Sequence, residues 1–428
     1  MSSRNEIRGS PAMGLAAGTI AFFAGFAAVA LFGITAKTLA PLLKLSIVEV
    51  SWLVAIPTLT GSLLRIPFGA LVERFGGRPV ILAQLGIALV GMAGLIAVVS
   101  AVEGGSLTGS AAYALLMLFG AVAGTGISTF ASGIAYVSYW FPQRRQGFAL
   151  GFYAGMGNTA PGIFTAILPF AVASLGLIGA YEAWAAFLLA MTLVFAAIGH
   201  DAYYFQLLRR YGDPAEAEKR ARELGQEIFP TGSAVRSLKI AAKVWRTWAL
   251  VVMYFTSFGG FVALTSWLPT YWTNFQKVSL ALAGVLSGVV YSLLTALMRV
   301  PGGWLSDRVG GERVALAAYA VLLAGSLIMA LSGSIGPAIA GMVVMAAGMG
   351  IANAAVFKLV PRYVPEAVGG ATGWVGGLGA AGGLLLPPVM GYFVALFGPI
   401  GYAWGFFVFT ALALASIALS AILYRSRP

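Results

Sequence analysis

The chain has 428 residues, of which 60% are apolar and 9% charged, with a mean hydropathy of +0.90 and a formal net charge of +12. A soluble protein is usually about 25% charged and 45–50% apolar, so this composition excludes a soluble globular enzyme, a disordered chain and, despite the basic excess, a nucleic-acid binder. Cysteine is absent and His200 is the single histidine, which excludes disulfides, thiolate zinc sites and iron–sulfur clusters and argues against a polynuclear metal centre or a haem.

A helix that crosses a bilayer needs roughly 20 apolar residues. Twelve such stretches follow one another, near 13–36, 47–71, 79–101, 111–137, 147–172, 183–206, 246–270, 281–305, 313–333, 336–357, 369–396 and 401–424. Breakers separate them, among them Gly76-Gly77, Gly104-Gly105, Pro142, Gly310-Gly311 and Gly398-Pro399. The opening MSSRNEIRGSPAMG is too polar for a cleaved signal peptide, so the first span is expected to be retained. The predicted fold class is therefore an all-α membrane protein of twelve transmembrane helices, with the lipid bilayer as its solvent.

Lysine and arginine set the orientation of such a chain. With the N-terminus in the cytoplasm, 21 of the 26 basic residues fall in cytoplasmic segments, from Arg4 and Arg8 to Arg425 and Arg427. The outer loops hold only Lys37, Lys44 and Lys277, and Arg65 and Arg299 fall inside spans. The split predicts both termini on the cytoplasmic side of the cell (inner) membrane and makes the high pI a topology signal.

One long polar stretch, 207–245, lies between spans six and seven. Its centre, DPAEAEKRARELGQEI, reads as a short surface helix. Asp213 can cap it ahead of Pro214, and Glu216–Arg220 and Glu218–Arg222 are spaced i,i+4. The predicted organisation is an N-terminal half over 1–206, a cytoplasmic linker over 207–245 and a C-terminal half over 246–428. His200-Asp201 is expected at the interface at the end of span six.

The halves repeat each other. RIPFGALVERFGGRPV at 65–80 and RVPGGWLSDRVGGERV at 299–314 agree at eight of sixteen positions, at an offset of 234. In the fifth span of each half, Gly147, Ala149, Gly151, Gly155 and Gly157 fall on Gly369, Ala371, Gly373, Gly377 and Gly379. Two homologous six-helix halves imply a carrier with its site between them at mid-membrane. The pattern G-x-L-x-[DE]-R-x-G-G appears as Gly69, Leu71, Glu73, Arg74, Gly76, Gly77 and again as Gly303, Leu305, Asp307, Arg308, Gly310, Gly311. It resembles the loop motif of the major facilitator superfamily. By that resemblance it is a conformational latch in which an acid–arginine pair forms in one state and breaks in the other.

Arg65 and Arg299 are the chemically prominent residues. A buried arginine costs several kcal/mol, the two occupy equivalent repeat positions, and each is followed by x-Pro. The acidic residues, Glu6, Glu49, Glu73, Glu103, Glu182, Asp201, Asp307, Glu312, Glu366 and five in the linker, all fall in loops or near span ends. Two uncompensated cations at mid-membrane require an anion, and guanidinium binds planar oxyanions bidentately. The residues therefore select a small planar monoanion and leave nitrate, nitrite, formate, bicarbonate and small carboxylates open.

The stretch 124–158, GTGISTFASGIAYVSYWFPQRRQGFALGFYAGMGN, resembles the signature of the nitrate/nitrite porter family. NAAVFKLVP at 353–361 and the glycine-rich 376–387 resemble two further family segments. The resemblance implies nitrate and nitrite as substrates and Arg65 and Arg299 as the binding pair. It also implies Phe130 as the signature aromatic, Tyr254 and Phe258 as aromatics sandwiching the anion with a hydrogen bond from Tyr254, and Asn158 and Asn353 as further site residues. Thr129 and Tyr153 stand where the signature carries asparagine, and Ala352 and Ala354 flank Asn353 where it carries glycine. These departures bear on fine selectivity.

Importing a monoanion against an inside-negative potential costs about 2.3 kcal/mol per 100 mV. Uptake therefore needs proton symport or exchange for an internal anion. No Asp, Glu or His lies near mid-membrane to relay protons, so nitrate/nitrite exchange by alternating access is the expectation. Proton-coupled symport and exchange of formate or a monocarboxylate are the alternatives. A membrane enzyme would need catalytic acids, bases or a metal in the spans, and a signalling receptor would need an added domain. No cofactor, metal or catalytic residue is expected, and a monomer suffices.

Overall fold

The computed structural model describes residues 7–230 and 234–426. Arg4 and Arg427, two of the cations that set the orientation, lie outside the described residues. All regular structure among the described residues is helical. Apolar helices of membrane-crossing length run Pro11–Ala30, Ile47–Phe75, Gly77–Glu103, Gly109–Trp140, Gln146–Ile198, Trp245–Asn274, Leu280–Val309, Gly311–Leu331, Ile335–Tyr363, Pro365–Trp404 and Phe407–Arg425.

The stretch Gln146–Ile198 is two crossings. Its 53 residues would reach about 80 Å as one helix, against a hydrocarbon core of about 30 Å. Helical geometry breaks at Gly176 (φ +74°), and Phe164 lies 4.7 Å from Trp184 and 5.3 Å from Phe187, as expected of antiparallel neighbours. The fifth and sixth spans are thus 146–175 and 177–198, giving twelve crossings. This corrects the predicted sixth span at 183–206. Its helix ends at Ile198, and a separate helix, Tyr203–Tyr211, follows. The apolar run continued through Tyr203, Tyr204 and Phe205, so hydropathy alone placed the span too late.

The linker carries helices Pro214–Glu223 and Ala234–Lys243, with Tyr203–Tyr211 crossing the boundary drawn at 206/207, where one helix was expected. Asp213 caps the first of them by accepting from the Ala215 amide at 2.9 Å. Arg220 and Arg222 pair with Glu216 and Glu218 one turn earlier. The chain ends gather on this basic face. The Arg8 amide donates to the Gln206 side chain at 3.0 Å, and Arg246 donates to the Ser426 carbonyl at 2.8 Å.

The repeated loops take the same shape. Gly76 and Gly310 end the second and eighth spans with φ of +86° and +97°, a region that a side chain disfavours. In the first half the loop is braced by Asp201, which is 2% exposed. Its carboxylate accepts from the Arg78 amide at 2.7 Å and pairs with Arg209. That satisfies one of the free amides at the start of the third span. Asp201 is thus a buried tie just past the end of the sixth span. His200 beside it has its pKa lowered by burial, then by Arg78 and Arg8. In the second half Arg78 is replaced, at the same offset, by Glu312, which is fully buried and accepts from Arg362 and from the Tyr363 hydroxyl at 2.8 Å.

Away from the basic face the halves meet backbone to backbone. A Cβ on Gly288 of the eighth span would lie 2.4 Å from the Gly162 carbonyl oxygen of the fifth, and one on Gly391 would lie 2.3 Å from Ser51 Oγ. Only glycine permits that approach.

Replacing Asp201 by alanine is expected to destabilise the protein by about 1–3 kcal/mol, the cost of stranding a hydrogen-bond partner. Unfolding in detergent would read this as a lowered midpoint. Gly288→Val is expected to hold the two halves apart. Because the chain has no native cysteine, a single cysteine at Thr270 can report the change as severalfold faster maleimide labelling.

Candidate functional site

Arg65 opens the second part of the second span, directly after a helix break at Leu64. That break leaves Gly61 with a carbonyl the side chain can reach. Arg65 is 2% exposed. Its Nε donates to the Gly61 carbonyl and its Nη1 to the Gly376 carbonyl, each at 3.0 Å. The first bond is local. The second crosses from the first half to the eleventh span in the second. Nη2 is buried with no partner. No ion pair involves Arg65 or Arg299 among the described residues. A buried guanidinium held by neutral carbonyls keeps its full charge without an anion beside it, and the desolvation cost of several kcal/mol is only partly offset.

The rest of the offset comes from aromatic faces. The Arg65 Cζ lies 4.7 Å from the Phe130 ring centroid and 5.0 Å from that of Phe258. Arg299, half-buried, places its Cζ 5.8 Å from the same Phe258 ring. The two guanidinium carbons are therefore no farther apart than the sum of their distances to one ring. Arg299 also carries a buried nitrogen, Nη1, with no partner. Such cation–π contacts stabilise by about 0.5–2 kcal/mol each.

Phe258 occupies a π-helical stretch, Phe255–Gly259, that interrupts the seventh span. Tyr254 ends the α-helical segment just before it. Tyr254 and Phe258 stack at 4.9 Å with only 2° between their planes. Here the geometry departs from expectation. Two rings that close leave no room for a planar anion, which needs about 7 Å between flanking faces by van der Waals contact. The expected Tyr254–Phe258 sandwich is not formed. Phe130 and Phe258 are 6.1 Å apart and 28° from parallel, still short of that spacing, and both touch Arg65. The Tyr254 hydroxyl is buried, faces the Arg299 guanidinium and makes no well-formed hydrogen bond.

The structure adds residues that sequence reasoning did not assign. Phe357 on the tenth span stands edge-on to Tyr254 at 4.7 Å and to Phe130 at 6.4 Å. Phe26 on the first span stacks on Phe258 at 6.1 Å and 15°. Tyr153, at the position where the signature carries asparagine, donates to the Thr129 and Phe130 carbonyls at 2.8 and 3.2 Å. It fixes the backbone that presents Phe130. Phe357 lay inside the NAAVFKLVP segment, but nothing local marked it among so many phenylalanines. Asn158 and Asn353 are fully buried on the fifth and tenth spans, and neither side chain has a hydrogen-bond partner. They are not tied to the arginines by any bond.

At the basic face the repeated motif is asymmetric. Asp307 pairs with Lys358 of the tenth span, while Arg308 stacks on Trp304 at 4.0 Å. Arg74 rests on Phe75 at 5.1 Å. The expected acid–arginine pair within the motif is thus replaced, in the second half, by a pair to a neighbouring span. Gly303 has open space where a Cβ would stand, and Gly69 faces Ala131 at 3.7 Å. Arg65, Arg299 and the rings between them make a doubly cationic, donor-rich cluster on the seam between the two halves.

The sequence matches the model described as Major Facilitator Superfamily over residues 18–290 and 276–428. A relative from Mycobacterium tuberculosis (strain CDC 1551 / Oshkosh), named "Probable nitrate/nitrite transporter NarK2", is 34% identical over 388 residues, covering 89% of this chain and 88% of that one. One from Thermus thermophilus, named "Probable nitrate/nitrite antiporter NarK1", is 31% identical and covers 87% and 83%. The solved structure of the xylose transporter XylE from E. coli, in a partially occluded inward open conformation, superposes with a TM-score of 0.70 at 14% identity and covers 98% of this chain and 99% of that one. Twelve crossings in two pseudo-symmetric halves, a duplicated glycine loop and matches across nearly the whole length agree: this integral membrane protein belongs to the Major Facilitator Superfamily.

Proposed function

We propose that the chain is a nitrate/nitrite transporter that works by alternating access and exchanges nitrate for nitrite across the inner membrane. The observation that carries this reading is the pair of uncompensated guanidinium groups on one aromatic ring, each with a buried nitrogen still free to donate. A planar anion bound beside both arginines would neutralise them and take their free N–H groups, with Phe130 and Phe258 parting from 6.1 Å to about 7 Å to admit it. The names of relatives 31–34% identical over most of the chain support nitrate and nitrite within the class of planar anions.

The proposed roles follow from position. Arg65 and Arg299 bind the anion, Phe130 and Phe258 flank it, and the Tyr254 hydroxyl donates to it. Asn158 and Asn353 supply unpartnered amides as the pocket changes shape. Residues 1–206 and 246–428 act as the two rocking halves, joined by 207–245. The basic face is cytoplasmic, as the distribution of lysine and arginine requires, and both termini lie there. Gly69, Glu73 and Arg74 in one half, and Gly303, Asp307 and Arg308 in the other, form the cytoplasmic latch. One chain builds the whole site, so a monomer suffices.

Exchange is favoured over symport by electrostatics. An empty carrier would have to drag two unneutralised cations through a low-dielectric seam, so return is easiest with an anion bound. The test is uptake of labelled nitrate into proteoliposomes, preloaded with nitrite or left empty, with and without a pH gradient. Uptake that requires internal nitrite and ignores the gradient is expected. Uptake into empty vesicles driven by an acidic exterior would replace exchange with proton symport.

Arg65→Lys and Arg299→Lys keep the charge but lose the planar fork. Losing one charge-assisted bond costs about 1.5–3 kcal/mol, so each variant is expected to exchange nitrate roughly tenfold to a hundredfold less efficiently. If both transport normally, the paired-guanidinium site is wrong.

A further inference from the structure

The face opposite the basic loops carries little positive charge, yet its lysines are not scattered. A cavity of about 500 Å³ opens there between the halves, lined among others by Lys37 and Lys44 from the first half and Thr270, Thr273 and Asn274 from the second. No carboxylate lines it. Glu49, near Lys44 in sequence, is engaged elsewhere, accepting from the Ser46 amide at 2.8 Å and from Ser46 Oγ at 2.7 Å. Neither lysine has an ion-pair partner among the described residues.

Lys37 is held instead by a neutral acceptor across the seam. Its Nζ donates to Asn274 Oδ1 at 3.1 Å, and the Asn274 amide donates to the Tyr402 hydroxyl at 3.2 Å. That bond must break when the halves part on this side, which frees an ammonium group inside the cavity.

The backbone adds an independent observation. Lys44 and Lys277 are the only non-glycine residues with positive φ among those described, at 54° and 57°. Each stands two residues before a serine that caps the next span, Ser46 and Ser279, so the repeat makes the same choice twice. Glycine or asparagine adopts this conformation at lower cost. The backbone alone does not select lysine there. Lysine at both positions places a positive charge just ahead of the next span.

We infer that this vestibule is a second anion site, at which Lys37 and Lys44 receive a small monoanion before it passes to Arg65. Lys37 exchanges the Asn274 carbonyl for the anion as the halves separate. Clefts lined by one sign of charge concentrate counter-ions, and salt screens the effect. The inference rests on the proposed anion-transport reading.

The test measures the half-saturation concentration for nitrate presented to this face of proteoliposomes, at ionic strengths of about 0.02 and 0.3 M. Wild type is expected to need severalfold more nitrate at the higher salt. Lys37→Gln combined with Lys44→Gly, the glycine relieving the backbone, is expected to raise half-saturation about fivefold or more at low salt and to abolish the salt response. Lys37→Arg should retain both, and Lys219→Gln in the linker serves as the charge control. An unchanged half-saturation in the double variant would overturn the site. A second readout is independent of transport: acetylation of Lys37 and Lys44 followed by peptide mass spectrometry, with and without nitrate. Protection by nitrate in a protein that moves none would uphold the vestibule and reject the transport reading. Absence of protection would count against the vestibule whatever the transport result.

Discussion

A guanidinium buried without a counter-ion organises this molecule. Arg65 sits 2% exposed, tied to one carbonyl in its own helix and another across the seam. Its charge is dispersed over two phenylalanine faces but not neutralised. Two carbonyls and two aromatic faces offset part of the desolvation cost, and the proposed anion would offset the rest. The π-helical turn that carries Phe258, the Tyr153 hydroxyl that fixes the backbone at Phe130, and the close packing of spans two and eleven all serve to hold aromatic surface against that charge.

The same bond bears on how the proposed site would respond to its content. Gly376 belongs to the half opposite Arg65, and the cross-seam hydrogen bond uses Nη1 while Nη2 has no partner. On the proposed reading, an anion at Nη2 adds a second link between the halves through Arg299. The differential contact of the ligand with two arrangements is what population shift requires. The asymmetry at the basic face fits a carrier whose halves do not move as mirror images. Asp201 locks the first loop by a buried tie, whereas Asp307 in the second uses a more exposed pair with Lys358.

Charge is distributed along the proposed path in a graded way. The exposed Lys37 and Lys44 border the vestibule, and Arg65, buried, and Arg299, half-buried, carry unmet donors at the centre. Flexible ammonium groups suit capture from water, and a rigid planar fork suits recognition where water is excluded.

The linear sequence determined the architecture. Twelve apolar runs, an uneven distribution of Lys and Arg and a half-to-half repeat needed no coordinates, because span length and polarity are imposed by the bilayer and read out residue by residue. Arg65, Arg299, Phe130, Tyr254 and Phe258 were legible as candidates because a charge in an apolar run and a motif at fixed spacing are local signals. What only the tertiary structure decided was contact. The end of the sixth span fell at Ile198 because a buried Asp201 and its Arg209 partner needed a turn there, although apolar residues continued. The stack of Tyr254 on Phe258 forms at a π turn, whose hydrogen-bond register leaves no mark in composition. Phe357, Phe26, the Gly376 carbonyl and the Lys37–Asn274 link join residues tens to hundreds of positions apart. A sequence specifies such pairs only through the packing of whole helices, and that is why they could not be read from it one segment at a time.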